Sequence, residues 1–184
     1  MKKFLSNPTV AMVLAVIVVL ATMLISAKFD FGKQCSDATD SFYSGRNGET
    51  PIAVHLREFC NAAEQMVMLG QRGQVKGTEE VYEEAEELLD MLRKESTEIE
   101  DMFSVYSRLL SDTFALESAL TRAELSEEDM AAYLKAQHDA AEAKAAIDAS
   151  TYNVDVRFLQ IKYKRFPTRQ LCAVTGVEMP QLFA

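Results

Sequence analysis

Residues 9–27 read TVAMVLAVIVVLATMLISA, nineteen positions without a charge, a Gly or a Pro. At about 1.5 Å of rise per residue, such a helix spans roughly 28 Å, close to the hydrocarbon thickness of a bilayer. A cleaved signal peptide is the alternative, with Lys2 and Lys3 as its basic flank. The run exceeds the usual ~7–15 residue apolar region, and Ile25-Ser26-Ala27 is a poor small-x-small cleavage site. Cys35 lies too far beyond the run for a lipoprotein signal. The reading is therefore an uncleaved signal-anchor over residues 9–27 after a short tail, 1–8, with the lipid bilayer as its partner. Lys2 and Lys3 face Lys28 and Lys33 across the span, so basic residues separate the two ends only weakly. A tail this short is easily left behind, which favours a cytoplasmic N-terminus and an extracytoplasmic domain on a single-pass cell-membrane protein.

The remainder reads as all-α. Only seven Gly and four Pro occur, and the breakers fall where helix ends belong. Phe31, Cys35, Ala38 and Phe42 keep one helical face, so the anchor helix continues into the domain and stops near Ser44-Gly45-Arg46-Asn47-Gly48. Thr50 as N-cap and Pro51 at the first helical position open a second helix with the stripe Ile52, Leu56, Phe59, Ala63, Met66 and Val67. Gly70, Gly73 and Gly77 mark a linker, and Thr78 caps a third helix with Val81, Ala85, Leu88 and Leu92 inward. A capping box of Thr97 and Glu100 starts a fourth, whose stripe is Met102, Phe103, Tyr106, Leu110 and Phe114. Ser126 and Asp129 begin the longest element, which carries Tyr133, Ala136, Ala140, Ala143, Ile147, Val154, Phe158 and Ile161 to a stop at Phe166-Pro167. On that stripe Phe158→Asp ranks among the most damaging single changes. Short connections and one apolar face per helix imply an up-and-down antiparallel bundle over residues 28–167 with one very long C-terminal helix. A tail, 168–184, packs back on it, with a short helix from Pro167 to Val174 ended by Gly176.

Chemistry is sparse. With 28 acids against 19 bases the chain lacks the cationic surface that nucleic acid requires. The acid-rich run from Glu79 to Asp101 reads as a solvated helix face. His55 and His138 stand on different helices without a His or Cys at ligand spacing, and no Glu-x-x-His occurs. Cys35, Cys60 and Cys172 read as buried small apolar residues, with a disulfide among them left open. No nucleotide-binding, hydrolase or metalloprotease motif is present. No catalytic, cofactor or metal residue is assigned, and an enzyme is not the expectation.

Tyr152-Asn153, Val156-Arg157, Phe166-Pro167 and Gly176 resemble the closing signature of the LemA family. That signature has a Tyr-Asn pair, twelve residues, Phe-Pro, eight residues, then Gly and a terminal aromatic, here Phe183. Upstream, Arg46-Asn47 with Pro51 and Val54 is similar to the family's Arg-x-Asp-Leu-Ile-Pro-Asn-Leu-Val segment. Glu49-Thr50 replaces the apolar pair before Pro51, the first helix lacks Trp, and Gln160 stands where a second Asn is common. The resemblance implies a divergent bacterial, single-pass membrane protein with a helical bundle, and it supplies no catalytic residues. A structural role, ending the long helix and folding back the tail, accounts for Tyr152, Asn153, Phe166 and Pro167. Two functions remain: a membrane-anchored scaffold or adaptor for an unknown membrane or envelope protein, or an extracytoplasmic ligand-sensing bundle acting through a partner subunit.

Overall fold

The computed structural model describes residues 8–46, 48–95 and 98–184. Its elements are α1 (Pro8–Ser44), α2 (Ile52–Arg72), α3 (Thr78–Arg93), α4 (Ile99–Leu120), α5 (Glu127–Ala149), α6 (Tyr152–Lys164) and α7 (Thr168–Thr175). The described residues contain no strand, and the chain is all-α. It divides into two compact units, Met1–Ala38 with Arg157–Pro180, and Thr39–Val156 with Gln181–Ala184.

In the second unit α2 is the central helix. Eleven of its 21 residues are buried, against four of 16 in α3, and α3, α4 and α5 all pack on it. The width of its apolar face explains this. A helix buried on one side needs one stripe, whereas Ile52, Ala53, Leu56, Phe59, Cys60, Ala62, Ala63, Met66 and Val67 cover more than half the circumference. Its most extensive partner is α5, which buries Ala136, Ala140 and Ala143 in the same core as Ala53, Ala62 and Ala63 of α2. Small residues on both sides let two backbones come close. Ser126 caps α5 by accepting from the Asp129 N–H at 3.1 Å, and Asp129 also pairs with Arg72 of α2 at 3.0 Å. Val81, Ala85, Leu88 and Leu92 of α3 are buried as the glutamate-rich pattern predicts.

Three details differ from the sequence reading. Pro51, not Thr50, holds the N-cap of α2, because its ψ of 148° is extended and Ile52 is the first helical residue. Gly77 rather than Thr78 occupies that place in α3. Thr97 lies outside the described residues, as does Asn47. Gly70 belongs to α2, not to a linker: a Cβ there would stand 2.6 Å from the Thr78 methyl carbon, so its absence lets the start of α3 approach.

The long helix expected from Ser126 to Arg165 is two helices. Ser150 turns extended, with ψ 138°, and breaks the ladder. Beyond the break the helical phase restarts, and Tyr152, Val156 and Tyr163 face inward. Val154, Phe158 and Ile161, assigned to the core by continuing the old phase, are exposed. On α4 the buried face is Ile99, Met102, Val105, Tyr106, Leu109, Thr113, Leu116 and Leu120. Phe103 and Leu110 are half-buried, and Phe114 is 69% exposed.

The first unit holds the apolar part of α1, which is long and apolar enough to cross a membrane and has no buried residue in that stretch. Its small core is Cys35, Tyr163 and Cys172, flanked by Phe31, Leu159, Val177 and Met179. Phe31 and Tyr163 rings stand 5.2 Å apart. Gly176, with φ +65°, ends α7 by donating its N–H to the Cys172 carbonyl at 2.9 Å.

Phe42 sits at a junction of aromatic rings, fully buried and within 5.5 Å of Tyr43, Tyr152 and Phe183. Phe42→Ala is expected to cost about 3–5 kcal/mol in urea unfolding of the detergent-solubilised chain. Phe158→Asp, at an exposed position, is expected to change it by no more than about 0.5 kcal/mol.

Candidate functional site

The family-signature residues fall into three structural jobs. The first is a clamp on the C-terminal segment within the second unit. Asn153 Nδ2 donates to the Phe183 carbonyl at 2.6 Å, and its Oδ1 accepts the Phe183 N–H at 2.8 Å. One side-chain amide thereby satisfies both backbone polar groups of Phe183. Tyr152 donates its hydroxyl to the Gln181 carbonyl at 2.7 Å, and burial pushes that phenol well above its ordinary range. Phe183, held this way, is buried against Phe42, Phe103 and Tyr106. Val156 is fully buried in the same core.

The second job is to fix the start of α2. Arg46 pairs with Asp155 at 3.2 Å, and the Thr151 hydroxyl donates to the Glu49 carboxylate at 2.8 Å. Pro51 provides the extended N-cap between them. The third job lies in the first unit, where Pro167 is the N-cap of α7 and Gly176 its left-handed C-cap. Phe166 is 83% exposed and Arg157 is exposed, so neither is part of a core.

Arg46, Pro51 and Tyr152 border a pocket of only about 10 Å³. A much larger opening of the second unit lies elsewhere, between α4 and α5. Both helices pack on α2, but they do not pack on one another along their length. They leave a groove of about 810 Å³ floored by Phe59, Thr113 and Ala140 and walled by Leu110, Phe114 and Leu134. That volume lies within the ~300–1,000 Å³ range of ligand pockets. Thr113 is buried, and its hydroxyl has no hydrogen-bond partner among the described residues. Gln137 Nε2 reaches Glu117 Oε2 across the groove at 3.5 Å. Burial raises the Glu117 carboxyl above the ordinary range, opposed by the hydrogen bond from Gln137.

The groove was missed because one apolar stripe per helix was assumed. α4 carries two, offset by one position: Met102-Tyr106-Leu109-Thr113 faces the core, and Phe103-Leu110-Phe114 lies beside it. A helix apolar over so wide an arc has more face than one neighbour covers, and that surplus was the available signal. The histidines lie apart: His55 Nδ1 approaches Glu58 at 2.8 Å, and His138 lies 3.9 Å from Glu142. Among the described residues no three His, Cys, Asp or Glu side chains converge as metal ligands would. The chain matches no family model, no curated protein and no solved structure.

Asn153→Ala removes both clamp bonds and is expected to lower stability by about 1–3 kcal/mol, read as a reduced melting temperature. The raised Glu117 carboxyl favours folding while protonated. That advantage is lost as pH rises from the ordinary carboxylate range through the raised value. Glu117→Gln is therefore expected to raise the melting temperature relative to the parent above this window, with the difference closing below it.

Proposed function

We propose that the chain is a membrane-anchored helical-bundle adaptor, a divergent bacterial LemA-like protein held by residues 9–27. Its bundle receives an amphipathic helix of a membrane or envelope protein in the α4–α5 groove. The observation that carries this reading is the exposed pair Phe114 and Leu134 flanking an opening between helices already anchored on α2. An inserted helix would cover the surplus apolar face of α4 and complete the helix packing that the bundle lacks there. Groove recognition of this kind reads apolar anchors at helical spacing. The placement of the bundle outside the cytoplasm belongs to the same reading.

A second reading, a ligand-sensing bundle acting through a partner subunit, is favoured by one observation: the buried, unpartnered Thr113 hydroxyl in the groove floor. A small molecule with one hydrogen-bonding group would satisfy it.

A photo-crosslinking residue at Phe114 in intact membranes tests the adaptor reading. A discrete protein adduct that disappears with Leu134→Glu is the expected result. Labelling with no adduct above a control placed at exposed Tyr82 would overturn it.

A further inference from the structure

The net charge of −9 conceals a division between the two units. The unit containing α1 has nine Lys or Arg against three Asp or Glu, a net of +6. The other has ten against twenty-five, a net of −15. Within the first unit, Arg157, Lys162, Lys164, Arg165 and Arg169 occur in residues 157–177 without one acidic residue between them. All five are exposed, and none forms an ion pair with a described residue. Large apolar side chains are exposed among them: Phe158 at 67%, Ile161 at 55%, Phe166 at 83% and Val174 at 71%. Bases and bare aromatics on one short helical stretch suit the boundary between lipid headgroups and acyl chains.

The fold supplies a ruler for where that stretch lies. Leu159, Tyr163, Cys172 and Val177 pack with Phe31 and Cys35 of α1, just past the apolar run. Lys162 Nζ donates to Gln34 Oε1 at 2.8 Å, and Gln34 is seven residues beyond Ala27. At 1.5 Å per residue that is about 10 Å past the end of the span. Each headgroup layer is roughly 5–8 Å deep, so Lys162 lies just beyond its outer edge, and α6 runs on from there towards the bilayer, with Tyr163 against Phe31. The basic side chains that follow Lys162 reach phosphate oxygens and are drawn to an anionic surface.

We propose that the exposed face of residues 157–177 is a binding surface for anionic phospholipid headgroups of the bilayer that holds α1, with Phe166 inserted at the acyl boundary and Lys164, Arg165 and Arg169 on the phosphates. The proposal rests on α1 being a membrane span and is independent of the groove.

The chain contains no Trp, so Phe166→Trp provides a single reporter in the full-length protein. The protein is reconstituted into vesicles of phosphatidylcholine alone or mixed with phosphatidylglycerol, with brominated acyl chains as quenchers. Expected with phosphatidylglycerol are a blue-shifted emission and strong quenching, both reversed by molar salt, which shortens the screening length to about 3 Å. Both are much weaker in phosphatidylcholine alone. Combined Lys164→Gln, Arg165→Gln and Arg169→Gln abolishes them while circular dichroism stays unchanged. Phe158→Trp, further from the bilayer along α6, is the depth control: it is quenched less than Phe166→Trp, and equal or stronger quenching there overturns the insertion of Phe166. Inorganic phosphate added to the detergent-solubilised protein leaves the emission unaltered, which separates a lipid surface from a free-anion site. Equal emission in the two vesicle types, or no quenching in either, overturns the proposal. Release of the protein by alkaline washing overturns the anchor and this proposal together.

Discussion

Helix α2 carries more apolar surface than one neighbour can cover, and the organisation of the bundle follows from that surplus. Because it buries residues on more than half its circumference, α3, α4 and α5 must each contact it. Helices about 10 Å across cannot all surround a common centre and also pack fully on each other. Here α3 and α4 pair, whereas α4 and α5 diverge. The groove is the space left by that divergence, and its floor contains Phe59 of α2 itself. The alanines that draw α5 against α2 contribute twice, since Ala140 also lines the groove floor and adds no bulk to fill it.

Sequence periodicity was a good guide wherever one helix had one stripe and clear ends. The inward positions of α3 followed from spacing alone, as did those of α5 from Tyr133 to Ile147, whereas spacing gave Ile52, Leu56, Phe59, Ala63, Met66 and Val67 of α2 and not the rest of its wider face. It failed at two places for different physical reasons. Across Ser150-Thr151 the apolar spacing continues almost unchanged, so pattern alone joined two helices whose phases are unrelated. Polar residues that cap a new helix look in sequence like tolerated residues inside a long one. On α4 two stripes lie side by side, one through Met102 and Tyr106 and one through Phe103 and Leu110, and spacing gives no reason to prefer one. Depth depends on which neighbours arrive, which is tertiary information. The clamp of Asn153 on Phe183 was likewise illegible, since it joins residues thirty positions apart through one amide. The resemblance to the LemA signature marked both residues without revealing their contact.

Electrostatics follow the same lesson at a larger scale. A single net charge for the chain does not tell where its bases gather. Summed over the units that the fold defines, the basic residues near the chain's end join those flanking the apolar helix, and the acids remain with the bundle. Linear separation hides this, because Gln34 and Lys162 are far apart in sequence and hydrogen-bonded in space.

The burial of the cysteines gives the molecule internal clocks for its own opening. Cys60 is wholly enclosed in the bundle, and burial pushes its thiol up to about 12, so at neutral pH almost none of it is thiolate. Cys35 and Cys172 are enclosed in the small core of the other unit, and their thiols are also raised by burial. Alkylation at each therefore waits for its surroundings to open. The modification rate at Cys60 measures how often the bundle comes apart, and the rates at the other two measure the same for the unit that contains α1. One unmodified chain thus carries separate readings of how cooperatively its two parts unfold.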